Sequence, residues 1–379
     1  MPDHVRVEKR IKELYEKNPD ARIVVDKIKE YSSRISRPSI IKIMNFCGTH
    51  EWTITYYGIR SLMPSNVELI AGPGCPVCIT PGYYVDLLID LSVEGYTVLS
   101  YGDSYRLPGT RATGIRSLFD ARIRGGDTRV VYSFLDAVKI ARENPGRKHV
   151  FFAVGFETTM PSTAYPLSSG IVPDNLLILP AYRLTPPIMR YLLEEKPEAE
   201  LHGVIAPGHV STVIGAYSWI FLPKIYGIPT VVAGFEPVDV LLAILHILKM
   251  LYEGRPSLVN EYKRVARMCG NLEAKRTMWK VYRVVDAYWR GIGMVPRSGA
   301  VHTKDYSRYD FFDQIGVKDR PLEDKLPGCK CSEVTLGLAK PTECPLFMKR
   351  CTPSNPYGPC MVSVEGTCKI WAENLPVKL

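Results

Sequence analysis

The chain has 379 residues, more than one hydrophobic core usually serves, which points to two or three domains. Apolar residues make up 46% and charged residues 23%, a globular composition without the apolar depletion that accompanies disorder. The formal charge of +9 comes from scattered basic residues in short runs such as Arg147-Lys148, which reads as a surface property suited to acidic partners or anionic ligands, with no nucleic-acid partner.

The first residues are charged (Arg6, Glu8, Lys9, Arg10, Lys12, Glu13) and hold no apolar signal-peptide core. Helical periodicity through Val7, Ile11, Leu14 and Tyr15, broken at Pro19, predicts a surface helical lead-in over 1–36. From Ser39 short β-rich runs alternate with helical patterns. Four runs, 40–46, 67–71, 97–101 and 129–132, fall in a first expected α/β lobe, 37–145. After the turn-forming Asn144-Pro145-Gly146, four more, 150–154, 176–179, 203–206 and 230–233, fall in a second, 146–253. The expectation is an α/β fold of two parallel-sheet, Rossmann-like lobes with a central cleft.

Helical patterns are predicted over 238–252 and 261–289. From Gly291 the pattern fades into a Gly-, Pro- and Cys-rich tail too poor in apolar residues to bury its own core, so a metal centre or the body must hold it. Residues 254–379 are therefore expected to be a helical segment followed by a small irregular C-terminal domain. The longest apolar stretch, 240–251, contains His246 and Lys249 and is too short and polar to cross a bilayer, so the expected location is cytoplasmic, with no membrane partner.

Ten cysteines in a cytoplasmic chain suggest metal or redox chemistry before a disulfide framework. In parallel sheets ligands gather outside the carboxyl ends of strands, and the unusual residues fall there. Cys47-Gly48-Thr49-His50-Glu51 follows the first run, at a strand-to-helix turn where backbone N–H groups and the helix dipole favour a thiolate; His50 and Glu51 can join or support the site. The plainer alternative is a buried Cys beside a helix-capping Thr. Gly72-Pro73-Gly74-Cys75-Pro76-Val77-Cys78 follows the second run; its C-x-x-C unit suits thiol-disulfide exchange, with a zinc site recruiting Cys47 or His50, or two structural thiols, as alternatives. Gly102-Asp103, Gly155-Phe156-Glu157-Thr158-Thr159, Tyr182-Arg183, Pro207-Gly208-His209 and Gly234-Phe235-Glu236-Pro237 occupy the remaining strand ends.

Near the C-terminus stand Cys329-Lys330-Cys331, Cys344, Cys351, Cys360 and Cys368. Six cysteines exceed the four that one iron-sulfur cluster uses, which suggests four ligands and a neighbouring thiol pair. Zinc and structural disulfides are the competing accounts, although C-x2-4-C pairs typical of structural zinc are missing from the tail. No phosphate-cradling Gly motif is present. Cys269 and His246, in helical patterns, are expected in the core; His202 and His302 carry no signal, and the aromatic residues of 279–289 are expected to pack.

Taken with Cys351-Thr352-Pro353, Gly358-Pro359-Cys360-Met361-Val362-Ser363, Glu365-Gly366 and Cys368, these motifs closely resemble, over nearly the whole chain, the HypD family of hydrogenase maturation proteins. The resemblance implies an assembly scaffold with redox activity rather than a conventional turnover enzyme. With its partner HypC it would build the iron group of [NiFe] hydrogenases, a transient iron carrying cyanide and carbon monoxide, destined for the hydrogenase large subunit. It implies Cys47 as iron ligand shared with HypC, His50 close by, and HypE as cyanide donor. It implies Cys75 and Cys78 as a redox pair, Cys329, Cys344, Cys351 and Cys368 as ligands of a 4Fe-4S cluster, and Cys331 with Cys360 as a second pair. Two other readings stand beside it: a free-standing cluster-fed thiol-disulfide reductase, which has no need of the Cys47 motif, and a binding protein with a zinc-stapled tail.

Overall fold

The computed structural model describes residues 3–111, 114–317 and 324–374. Its strands are β1 (Ile41–Asn45), β2 (Val67–Ala71), β3 (Thr97–Ser100), β4 (Thr128–Val130), β5 (His149–Gly155), β6 (Leu176–Arg183), β7 (Gly203–Pro207), β8 (Thr230–Ala233), β9 (Leu258–Asn260), β10 (Tyr282–Trp289) and β11 (Gly293–His302). β1 to β8 coincide with the eight expected runs. They read as apolar runs because parallel strands are covered on both faces; every residue of β5 and of β7 is buried.

The strands assemble into two sheets, but not in the order of the chain. One sheet has the order β2-β1-β7-β8-β9, all parallel, and the other β10-β11-β6-β5-β3-β4. The expected grouping, β1 to β4 in one lobe and β5 to β8 in the next, is corrected: β3 pairs with β5 across the expected boundary, and β1 pairs with β7. Runs of similar length and apolarity carry no record of which neighbour they meet. The expected cleft becomes a junction where the carboxyl ends of both sheets face common loops.

Three further expectations change. Only Leu272–Val281 of the predicted helix over 261–289 is helical; Tyr282–Trp289 forms an antiparallel hairpin with β11, whose ten residues lie where periodicity had faded. A register shift between Val285 and Ala287 breaks the strict alternation that marks a strand in sequence. The lead-in is no surface appendage, since Ala21, Val24, Val25 and Ile28 of helix Ala21–Arg34 share a core with Leu241, Ile244 and Ile247 of helix Pro237–Glu253. Cys269 lies exposed in a turn, outside any helix, and His246 is half-buried in its helix. The C-terminal tail gains its core from the body: Val334, Phe347, Met361 and Ile370 pack with Leu88, Val98 and Phe152.

No helix among the described residues is long and apolar enough to cross a membrane.

Candidate functional site

Cys47 sits in extended conformation as the residue capping helix Gly48–Tyr56, just beyond β1. Backbone N–H groups of Thr49 and His50 donate to its sulfur, as the strand-to-helix turn predicts. They do not win. Burial, reinforced by the charge of Glu365, pushes the thiol up to about 11, so in the free protein Cys47 is a thiol, which corrects the expected thiolate.

His50 is fully buried in the next turn. Its Nε2 donates to the carbonyls of Gly234 (2.8 Å) and Ala233 (3.3 Å) at the end of β8, a hydrogen-bond pattern that assigns the tautomer. Nδ1 is then an acceptor, and among the described residues it has no partner. The ring stacks on Phe235 at 4.8 Å, and the exposed His209 stacks on the same Phe235 at 3.8 Å. Burial holds His50 down to about 4, so at neutral pH it presents a lone pair and no charge.

Glu51 has a different task. Its carboxylate accepts from Arg60 (2.7 and 2.8 Å), Asn45 Nδ2 (2.9 Å), Thr55 Oγ1 (3.2 Å) and Trp371 Nε1 (2.6 Å). The last bond fastens the Cys47 helix to the C-terminal helix Thr367–Asn374. With both oxygens so engaged, Glu51 positions the helix.

The C-x-x-C unit is brought against Cys47 by glycine. The Gly72 N–H donates to Asn45 O at 2.8 Å, and a Cβ on Gly74 would lie 2.6 Å from the Cys47 Cα, so only glycine permits this approach. Cys75 and Cys78 are buried and joined by a disulfide. From the other side a Cβ on Gly48 would fall 2.5 Å from Glu365 Cβ, which shows how closely the C-terminal segment covers the site.

All six C-terminal cysteines gather in one nest. The thiols of Cys329 and Cys331, of Cys331 and Cys360, and of Cys360 and Cys368 interact in succession, while Cys351 feels Cys329 and Cys344. Backbone N–H groups of Tyr357, Cys360 and Cys368 donate to Cys351, Cys331 and Cys360 at 3.3–3.4 Å. Mutual hydrogen bonding and burial push Cys329 far above the usual thiol range. Among the described residues no three His, Cys, Asp or Glu side chains converge on the position of a single metal ion. An all-sulfur donor set, dense and buried, suits an iron-sulfur cluster by its softness. The C-x-x-C disulfide borders the nest, for Cys78, Cys329 and Cys331 line one small gap.

The other strand-end motifs serve the junction. Glu157 is turned inward, accepting from the Thr185 N–H at 2.8 Å, and burial raises it to about 7. Arg183 donates to Tyr288 O, and Glu236 with Asp239 forms a capping box for helix Pro237–Glu253. A cavity of about 580 Å3 is lined by Val77, Tyr101, Asp103, Phe156, Thr158 and Glu365, uniting loops from both sheets and the tail. Burial and Asp103 raise Glu365 to about 7. Asp103 and Glu365 lay within quoted motifs yet had no role assigned. Arg290, Asp324 and Trp371 carry no signal in sequence, because Arg290 meets Pro108, Asp324 meets Gly82 and Trp371 meets Glu51 across 182, 242 and 320 residues of chain. His302, also silent in sequence, is buried against Asp310 at 2.8 Å.

The HypD family model, described as hydrogenase formation hypA family, matches residues 20–374. The chain belongs to this family. Hydrogenase maturation factor HypD of Escherichia coli K12 is 38% identical over 356 residues, 92% of this chain and 93% of that protein. The same factor of Azotobacter vinelandii is 40% identical over 340 residues (87% and 88%), and that of Cupriavidus necator 40% over 335 (86% and 87%). The HypD family match thus spans nearly the full chain, and the motifs of the junction and the nest lie within that span.

Proposed function

We propose that this hydrogenase maturation factor is the scaffold on which, with HypC, the iron group of [NiFe] hydrogenases receives its cyanide and carbon monoxide ligands. Iron as cargo would be held by Cys47 and a cysteine of HypC, with HypE as cyanide donor and the hydrogenase large subunit as final recipient. Cys329, Cys344, Cys351 and Cys368 would hold a 4Fe-4S cluster, which supplies single electrons when bound. Cys331 with Cys360, and Cys75 with Cys78, would be the thiol pairs between that cluster and the cargo.

One observation carries this reading: the C-x-x-C unit lies between the nest and the strand-end site, bordering both. Cys331 shares a gap with Cys78, and Gly74, beside Cys75, lies against the Cys47 backbone. His50, neutral and with an Nδ1 that has no partner among the described residues, can accept a hydrogen bond one helical turn from Cys47 without adding charge. The thiol of Cys47 must lose its proton to bind iron, and metal binding supplies that driving force.

Anaerobic iron and sulfide analysis with Mössbauer spectroscopy tests the reading. About four irons and four sulfides per chain are expected beyond iron at Cys47. Cys344→Ser or Cys351→Ser should lose them and Cys331→Ser should keep them. With HypC, Cys47→Ala should abolish the cyanide and carbonyl infrared bands; their retention would remove Cys47 as ligand, and stoichiometric zinc would remove the cluster.

A further inference from the structure

The gap between the disulfide and the nest is about 20 Å3, room for a single water and for no thiol carrier. Cys78, Cys329 and Cys331 line it together with Arg290 and Asp324. Any electron pair crossing here passes between the chain's own sulfurs. During exchange negative charge builds on the attacking and departing sulfurs, and in a buried gap that charge is costly unless a cation faces it.

Arg290 is such a cation. The residue is 4% exposed, and its guanidinium stays charged at any pH the protein meets. Its place is over-determined: the guanidinium donates to Pro108 O (2.6 Å) and Gly109 O (3.3 Å) and pairs with Asp324 (3.1 Å), while its backbone N–H donates to Ile79 O (2.9 Å), one residue beyond Cys78. The other oxygen of Asp324 accepts from the Gly82 N–H at the start of helix Gly82–Val93, so the carboxylate is divided between the helix end and the guanidinium, and the guanidinium's charge is still felt at Cys329 on the gap, where it favours the thiolate. Lys325, the other cation on the gap, is exposed and screened by water.

We propose that Arg290 is the positioning residue of a direct exchange between the Cys331–Cys360 dithiol and the Cys75–Cys78 disulfide. The inference rests on the reading above that Cys331 and Cys360 are free of the cluster. Cys331 sulfur attacks Cys78 sulfur; the Cys75–Cys78 bond breaks, a Cys331–Cys78 bond forms, and Cys75 leaves and takes up the proton that Cys331 gave. Cys360 then attacks Cys331, forming the Cys331–Cys360 disulfide, and Cys78 leaves with the proton of Cys360. Two electrons and two protons have moved from the nest to the pair beside Cys47, with nothing left over.

A trapped intermediate tests this. In the full chain carrying Cys75→Ser and Cys360→Ser, each pair keeps one thiol, and mild anaerobic oxidation with diamide should join Cys78 to Cys331, read by acid quench, alkylation and peptide mass mapping. Arg290→Lys should form the bond within about threefold of the parent rate. Arg290→Gln with Asp324→Asn, which removes the ion pair without stranding a charge, should form it at least tenfold more slowly while its melting curve shows a folded protein. An absent Cys78–Cys331 bond in iron-replete protein, or an unchanged rate in the neutral pair, would overturn the role of Arg290 and leave the cluster reading standing. If Arg290→Gln with Asp324→Asn fails to fold, the comparison of Arg290→Lys with the parent decides, a tenfold loss there counting against a role of charge. Loss of iron from Cys360→Ser would instead overturn the ligand assignment, and this proposal with it.

Discussion

The strand-end site around Cys47 and the cysteine nest are both largely buried sulfur centres, yet they are held in different ways. At Cys47 the surroundings are fixed by groups that need no metal: a helix cap, His50 bonded to the end of β8, Glu51 bonded to four residues, and glycine contacts that set the distance to the C-x-x-C unit. In the nest short 3-10 turns, a five-residue helix and the first turn of helix Thr367–Asn374 hold cysteines, whose thiols interact with one another and with backbone N–H groups. The first centre is preorganised, which suits the transient cargo proposed for it; the second would, on the same proposal, be completed by a resident group. Trp371 joins them, reaching from the helix that carries Cys368 to Glu51 in the helix that begins after Cys47.

That bond is the place to break the comparison. Glu51→Ala strands Arg60 and unpairs Trp371 Nε1, and is expected to cost about 3–5 kcal/mol in chemical denaturation, since one member of a mostly buried ion pair is removed. If the two centres are coupled as the contact implies, Cys47 should also become more readily alkylated. A loss under 1 kcal/mol would show that the C-terminal helix is held by the nest alone.

Glu157 sharpens the comparison by pH. Its carboxyl is raised in the folded chain to about 7, while the unfolded chain titrates near the ordinary carboxylate value. Between those values the native state binds more protons, so its contribution is complete at low pH and is lost as pH rises towards 7. The loss amounts to about 3 kcal/mol, and Glu157→Gln should flatten that slope in denaturation curves taken from pH 5 to 8. An unchanged slope would mean that Glu157 is ionised in the fold.

The smallest effect belongs to Cys269, which stands outside both centres and is exposed. Cys269→Ser should change stability by less than about 0.5 kcal/mol and leave bound iron unaltered. Iron loss in this variant would extend the nest beyond its six residues.

Eight strands were legible because buried parallel strands are apolar runs bounded by turn residues, and motifs at their ends were legible because chemistry-bearing residues interrupt those runs. The hairpin of β10 and β11 escaped because charged and bulged positions such as Arg283 and Asp286 hide its alternation. Cys47 was placed correctly at its helix cap, but its ionisation was not, because the charge of Glu365 comes from chain more than three hundred residues away and the desolvation from everything packed around the site.

The sequence by itself determined the local features: eight of the eleven described strands, where cysteines, histidine and glycines interrupt them, and that the tail needs external support. Each depends on a few neighbouring residues, so a short window holds the information. The tertiary structure alone decided that β1 pairs with β7 and β3 with β5, that Glu51 holds Trp371, and that Arg290 faces the gap between two thiol pairs. Those outcomes turn on burial and on charges brought together from distant chain, and the free energy of a buried charge is set by everything packed around it.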